Sequence, residues 1–173
     1  MGNSGGIMAN TFELIASSTV GAGGAASIDF TSIPSTYTDL CVKYSLQVST
    51  TNPNAVIRFN GLSTNIFSAR TLTGTGSSVA SSSYSSQSDA FGLTNISTFT
   101  SNTFSNVELY IPNYAGSNNK SFSIDETTEN NATTSYARLG AWLWANTSAI
   151  SSISITESFT QYSTAYLYGV KNA

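Results

Sequence analysis

Apolar and polar side chains alternate one by one along much of this chain, and a period of two commits a segment to extended backbone with one face turned inward. Across residues 38–49 the apolar set is Leu40, Val42, Tyr44, Leu46 and Val48, while Asp39, Lys43, Ser45 and Gln47 take most of the other face. Residues 104–114 repeat the pattern, with Val107, Leu109 and Ile111 set against Asn106, Glu108 and Tyr110. Shorter runs read the same way at 11–16, 27–31, 55–59, 121–127 through Phe122 and Ile124, around Ile153 and Ile155, and at 164–171. Residues 135–146 are the most apolar: Leu139, Ala141 and Leu143 share one side, and Tyr136, Gly140, Trp142 and Trp144 the other, so both faces of this strand call for cover.

Between these runs stand residues that favour turns. Gly21-Ala22-Gly23-Gly24, Pro34, Asn118-Asn119 and Glu129-Asn130-Asn131 each interrupt the alternation. Asn60-Gly61 has easy access to positive φ and suits a tight hairpin, which makes residues 65–72 the partner of 55–59. Residues 73–102 are rich in Ser, Gly and Thr, with Ser81-Ser82-Ser83-Tyr84-Ser85-Ser86 at their centre and no periodic apolar face. They read as a long surface loop holding at most a short strand near residues 91–93. Residues 1–10, rich in Gly and Asn, read as a flexible arm ahead of one domain at 11–173. About nine short strands without helical periodicity predict an all-β fold: a single antiparallel β-sandwich of jelly-roll type.

Composition narrows the chemistry. Only 9% of residues are charged, and polarity comes instead from Ser and Thr, roughly a third of the chain. With 9 Phe, 9 Tyr and a net charge of -3, the chain has the means to build a core and lacks the signature of disorder. Six scattered Lys and Arg residues and an acidic balance argue against a nucleic-acid partner. No apolar run is long enough to cross a membrane as a helix, and no secretion signal is expected at the amino terminus. Cys41, the one cysteine, lies between Leu40 and Val42 and reads as a small buried hydrophobe.

The chain has no histidine, which removes Ser-His-Asp and Cys-His catalysis together with His-based metal sites. Paired carboxylates are what remains for an enzyme, with Asp125, Glu126 and Glu129 as candidates. Adjacent residues of a strand point to opposite faces, so Asp125 and Glu126 are expected to diverge. The same cluster with Asn130 lacks the spacing of a dedicated calcium loop. The expectation is therefore a protein that is not an enzyme and uses no cofactor and no metal. Its contact residues are sought among aromatics on strands: Trp142, Trp144, Tyr110, Tyr114 and Tyr136, as a subunit interface or a sugar-stacking platform, with core packing as the leading alternative.

Two long stretches carry a resemblance. Residues 28–40, Ile28-Asp29-Phe30-Thr31-Ser32-Ile33-Pro34-Ser35-Thr36-Tyr37-Thr38-Asp39-Leu40, and the ending Phe159-Thr160-Gln161-Tyr162-Ser163-Thr164-Ala165-Tyr166-Leu167-Tyr168-Gly169-Val170-Lys171 resemble a family of small tailed-bacteriophage virion proteins of marine and cyanophage type. Arg58-Phe59-Asn60-Gly61 and Asn113-Tyr114 are similar to the same pattern. The resemblance implies a structural component of the virion without saying which, and a sandwich that carries no active site and acts through its surface is expected on the particle exterior. The first expectation is a capsid decoration or cement protein that binds the major capsid protein lattice as a homo-oligomer, with a trimer favoured. Its rival is a receptor-binding module of a head or tail fibre that recognises a host glycan.

Overall fold

A computed structural model describes residues 11–171; the expected amino-terminal arm lies outside the described residues. The alternating segments become β1 (Phe12–Thr19), β2 (Ala25–Phe30), β3 (Asp39–Ser45), β4 (Asn54–Phe59), β5 (Phe67–Gly74) and β6 (Val79–Gln87). They continue as β7 (Ala90–Leu93), β8 (Asn106–Ile111), β9 (Lys120–Thr127), β10 (Ala137–Trp144), β11 (Ile153–Phe159) and β12 (Thr164–Val170). An all-β fold of two antiparallel sheets results, one ordered β1-β12-β3-β8-β9-β10-β5-β6 and the other β2-β11-β4-β7.

Alternation fixes which side of each strand is buried. Leu40, Val42 and Tyr44 of β3 face inward, as do Leu46 and Val48 just beyond it, and Val107, Leu109 and Ile111 of β8 join them. From the smaller sheet, Ile28, Phe30, Ile57, Phe59, Ile153 and Ile155 complete the layer between the sheets. Phe59 is its aromatic centre: its ring lies 5.2 Å from Phe122, 5.5 Å from Trp144 and 5.9 Å from Phe67. A second group stands beside it, with Phe91 of β7 meeting Trp142 edge-on at 4.8 Å and Tyr84 at 5.1 Å.

Two expectations are corrected. Residues 73–102 are not one long loop, because β5 runs into them, β6 occupies their centre and β7 follows; only the short strand near 91–93 is found as read. β6 escapes the eye because it is an edge strand with nearly every residue exposed, and only Tyr84 packs inward, so no apolar alternation marks it. The Asn60-Gly61 turn forms, with φ of 55° and 67° and the Leu62 N–H donating to the Phe59 carbonyl at 3.1 Å. It does not make a hairpin, however: β4 pairs with β11 and β7, whereas β5 crosses to the other sheet and pairs with β10 and β6. Turn chemistry is local, and sheet membership is decided by long-range burial.

One buried ion pair links both sheets. Arg138 of β10 lies directly opposite Glu126 of β9, and its Nε and Nη2 donate to the two carboxylate oxygens at 2.7 and 2.8 Å. Glu126 also accepts from the backbone N–H of Leu93 in β7, while Arg138 Nη1 donates to Asn54 Oδ1 of β4 at 3.0 Å. Burial pushes the Glu126 carboxyl upward, and Arg138 and the Leu93 N–H pull it back. Close by, the Tyr44 hydroxyl is buried without a hydrogen-bond partner and lies where a side chain at Gly92 would have to begin.

Two stability effects of opposite sign follow. Glu126→Gln leaves the Arg138 cation buried without its counter-charge and lowers stability by about 3–5 kcal/mol in urea unfolding. Tyr44→Phe removes the orphaned hydroxyl and keeps the ring, so the same measurement shows a gain of about 1 kcal/mol; a loss of similar size would mean that the hydroxyl has a partner.

Candidate interaction surface

The expected contact residues do not share a surface. Trp142 and Trp144 are 2% and 0% exposed and Tyr114 is 0% exposed, so these three belong to the core and are unable to stack on a sugar or meet a partner. Their face of β10 is covered by the smaller sheet of the same chain, through Phe91 over Trp142 and Phe59 over Trp144. Tyr114 instead fastens a loop, its hydroxyl donating to the Pro34 carbonyl. Tyr110 and Tyr136 are half-buried. Tyr110 donates to Asp39 Oδ2 at 2.7 Å, a bond that pushes its hydroxyl up to about 12. It therefore stands in a fixed polar contact on the outer side of β8.

The carboxylates also separate as expected. Asp125 is exposed on the outer side of β9 and Glu126 is buried on the inner side. Glu129 accepts from the Asn131 N–H at 2.8 Å and from Ser135 Oγ at 3.2 Å, which orders its own loop. The Asn130 amide donates to the carbonyls of Thr128 and Thr134, closing that loop from inside. No group of three or more Cys, Asp and Glu residues able to hold a metal ion occurs among the described residues. A surface hollow of about 490 Å³ is lined by residues 22–26 with Ser49, Ser158, Phe159, Thr160 and Gln161, none of them titratable.

What the fold presents outward is the far face of the larger sheet. Registers place Leu14, Tyr168, Cys41, Tyr110, Ser123, Ala141, Arg70 and Ser83 in one row across its eight strands. The next row runs Ser17, Tyr166, Lys43, Glu108, Asp125, Leu139, Leu72 and Ser81. Lys43 pairs with its neighbour Glu108 at 2.8 Å, which leaves the left half of this row nearly neutral. Leu139 and Leu72 lie opposite each other and are 56% and 49% exposed, and Val79, two residues along β6 from Ser81, is 72% exposed. Together with Gly74 and Ala137 they line a shallow apolar hollow bordered by Asp125 and Arg138. Leu139, Leu72 and Val79 thus form a small exposed apolar patch on this face.

Contact is expected from the sequence on the tryptophan side of β10, but that side is buried and the leucine side is the one left exposed. Both sides were apolar, and nothing within residues 137–144 states which of them the second sheet will cover. A usable signal existed in the charges. Glu126 continues the apolar face Phe122–Ile124, and Arg138 continues Gly140–Trp142–Trp144, so two opposite charges sit on apolar faces in neighbouring strands. Such a pair is expected to be buried together, which assigns the tryptophan face to the interior.

Cys41 shows the opposite outcome, a residue on the outer side that is nevertheless covered. It lies between Tyr168 and Tyr110 in its row, is 0% exposed, and burial pushes its thiol up to about 11. Since the thiolate is the reactive species, the folded protein at pH 8 reacts with a chromogenic thiol reagent about a hundredfold more slowly than the urea-unfolded chain. Equal rates would show that the two tyrosines do not seal the sulfur.

No known protein family matches this chain, and no curated protein or solved structure is detectably similar to it.

Proposed function

We propose that this chain is a virion structural protein that decorates a capsid shell, binding the lattice of the major capsid protein through the outer face around Leu72 and Leu139. The observation that carries this reading is the wiring of the sheets. With β5, β6, β9 and β10 set aside as an extension of the larger sheet, the remaining strands lie as β1-β12-β3-β8 against β2-β11-β4-β7. In that set every link except the one from β4 to β7 passes from one sheet to the other, which is how a jelly roll is connected. Viral shells use that fold widely, and so do lectins; the wiring narrows the reading to these two, and the features of the outer face favour the shell.

Three further features support decoration. The resemblance of residues 28–40 and 159–171 to tailed-bacteriophage virion proteins favours a virion component. The extension formed by β9, β10, β5 and β6 widens one sheet and carries the Leu139–Leu72 pair, offering a broad, weakly charged contact face. A protein that binds only the assembled lattice stabilises it by mass action, with no chemistry required of its own side chains. The glycan-binding alternative has lost the tryptophan platform that motivated it, because Trp142 and Trp144 are interior.

The purified chain is expected to sediment with assembled bare shells and not with free capsid subunits, and Leu72→Asp with Leu139→Asp is expected to abolish that binding while leaving the fold intact. Image reconstruction of the decorated shell would then show regular density on the lattice. Failure to bind shells, together with saturable binding to a glycan array, would replace this reading with the fibre module.

A further inference from the structure

The sandwich has four strand edges, and three are guarded against pairing with another chain. β1 carries a bulge at Ile15, and Glu13 on it pairs with Lys171 at 2.6 Å. β2 carries exposed Asp29, held by the Ser27 hydroxyl at 2.5 Å. β7 is only four residues long and follows directly on Asp89, which binds Arg58 Nε at 2.5 Å. Charges, bulges and brevity are the usual means by which an edge is kept from recruiting a strand.

β6 has none of these along residues 79–84. Its nine residues, Val-Ala-Ser-Ser-Ser-Tyr-Ser-Ser-Gln, include no charge and no proline. From Val79 to Tyr84 it pairs regularly with Gly74 to Ala69, and the irregularity in its register comes only after Tyr84. On its free side alternate residues turn both backbone N–H and C=O outward, away from β5. The side chains of Val79 to Ser83 are exposed, and no strand pairs beyond β6 among the described residues.

We propose that this edge binds the same edge of a second copy, β6 against β6 and antiparallel, so that two eight-stranded sheets become one. The sequence of β6 is nearly symmetric for such a pairing. Centred on Ser82, it sets Ser81 against Ser83 on the outer face and Ala80 against Tyr84 on the inner face. Hydroxyl pairs across strands are favourable, and no like charges meet. A twofold axis perpendicular to the sheet keeps both outer faces on one side, which side-chain parity requires.

The same reasoning decides the closure. A ring of three needs two different edges that fit each other, and the other candidates are guarded; a single open edge that fits itself closes at two. The trimer expected from the sequence therefore gives way to a dimer in this proposal. It does not rest on the capsid reading, since Leu72 and Leu139 lie on β5 and β10, and of that apolar hollow only Val79 belongs to β6.

The test is sedimentation equilibrium of the full chain over a wide concentration range. The wild type is expected at twice the monomer mass, with Ser81→Lys/Ser83→Lys and Ser81→Glu/Ser83→Glu each dissociating about tenfold more readily or worse, because like charges then face each other in both pairs. Mixing the lysine and glutamate variants restores the dimer as a one-to-one hybrid. Unchanged thermal unfolding of each variant at low concentration excludes a folding defect. A wild type that stays monomeric, a dimer indifferent to these substitutions, or a mixture that fails to re-form would overturn the proposal.

Discussion

Phe59 meets Phe67, Phe122 and Trp144 at the place where the last residue of β4 presses on β5, β9 and β10 of the larger sheet. A sheet of eight strands is twice as wide as the four-stranded sheet that covers it, so the inner side chains of β9, β10, β5 and β6 need more volume than aliphatic residues supply. Aromatics provide it: Trp142, Trp144, Phe122, Phe67, Phe91 and Tyr84 fill the region in edge-on and stacked contacts, each burying far more area than a Val or Ile would. The cost is polar. The indole nitrogens of Trp142 and Trp144 have no acceptor, and each orphaned donor works against stability by about 1–3 kcal/mol.

The Glu126–Arg138 pair lies at the end of this aromatic region and constrains it differently. An aromatic cluster tolerates small slips between its members, whereas a two-pronged ion pair with Asn54 and the Leu93 N–H as further partners does not. A slip of one residue between β9 and β10 would turn one charge outward and leave the other inside alone. The pair is a weak source of net stability and a strong source of register, and it fixes the register of the strand that presents Leu139 on the opposite side.

How much of this was legible depended on whether a residue's role was set locally. β3, β8 and β9 read correctly because one side of each strand is apolar and the other is not, so period and facing come together. β10 gave its period but not its facing, since Leu139–Ala141–Leu143 and Gly140–Trp142–Trp144 are both apolar and the choice lies with residues far away in sequence. β6 gave neither: an edge strand exposed on both sides has no reason to alternate, and five serines in nine residues resemble a loop. The Asn60-Gly61 turn was read correctly in its backbone and wrongly in its destination, which the burial of Phe67 and Ala69 beneath the smaller sheet decides.

Most of the basic charge is neutralised, for a structural reason as well as a compositional one. Of six basic residues, Lys43, Arg58, Arg138 and Lys171 are in ion pairs, and Lys120 is buried with its ammonium donating to the carbonyls of Gly116 and Ser148 at 2.6 Å. Arg70 donates to the carbonyl of its neighbour Ala69. The field that remains is weakly negative, from exposed carboxylates such as Asp29, Asp125 and Glu129. Recognition by such a surface has to come from contact, through hydroxyls, exposed leucines and an unpaired backbone edge. A strand edge suits that condition, because its donors and acceptors are fixed by the sheet before any partner arrives, and ordering them at the moment of contact costs almost nothing.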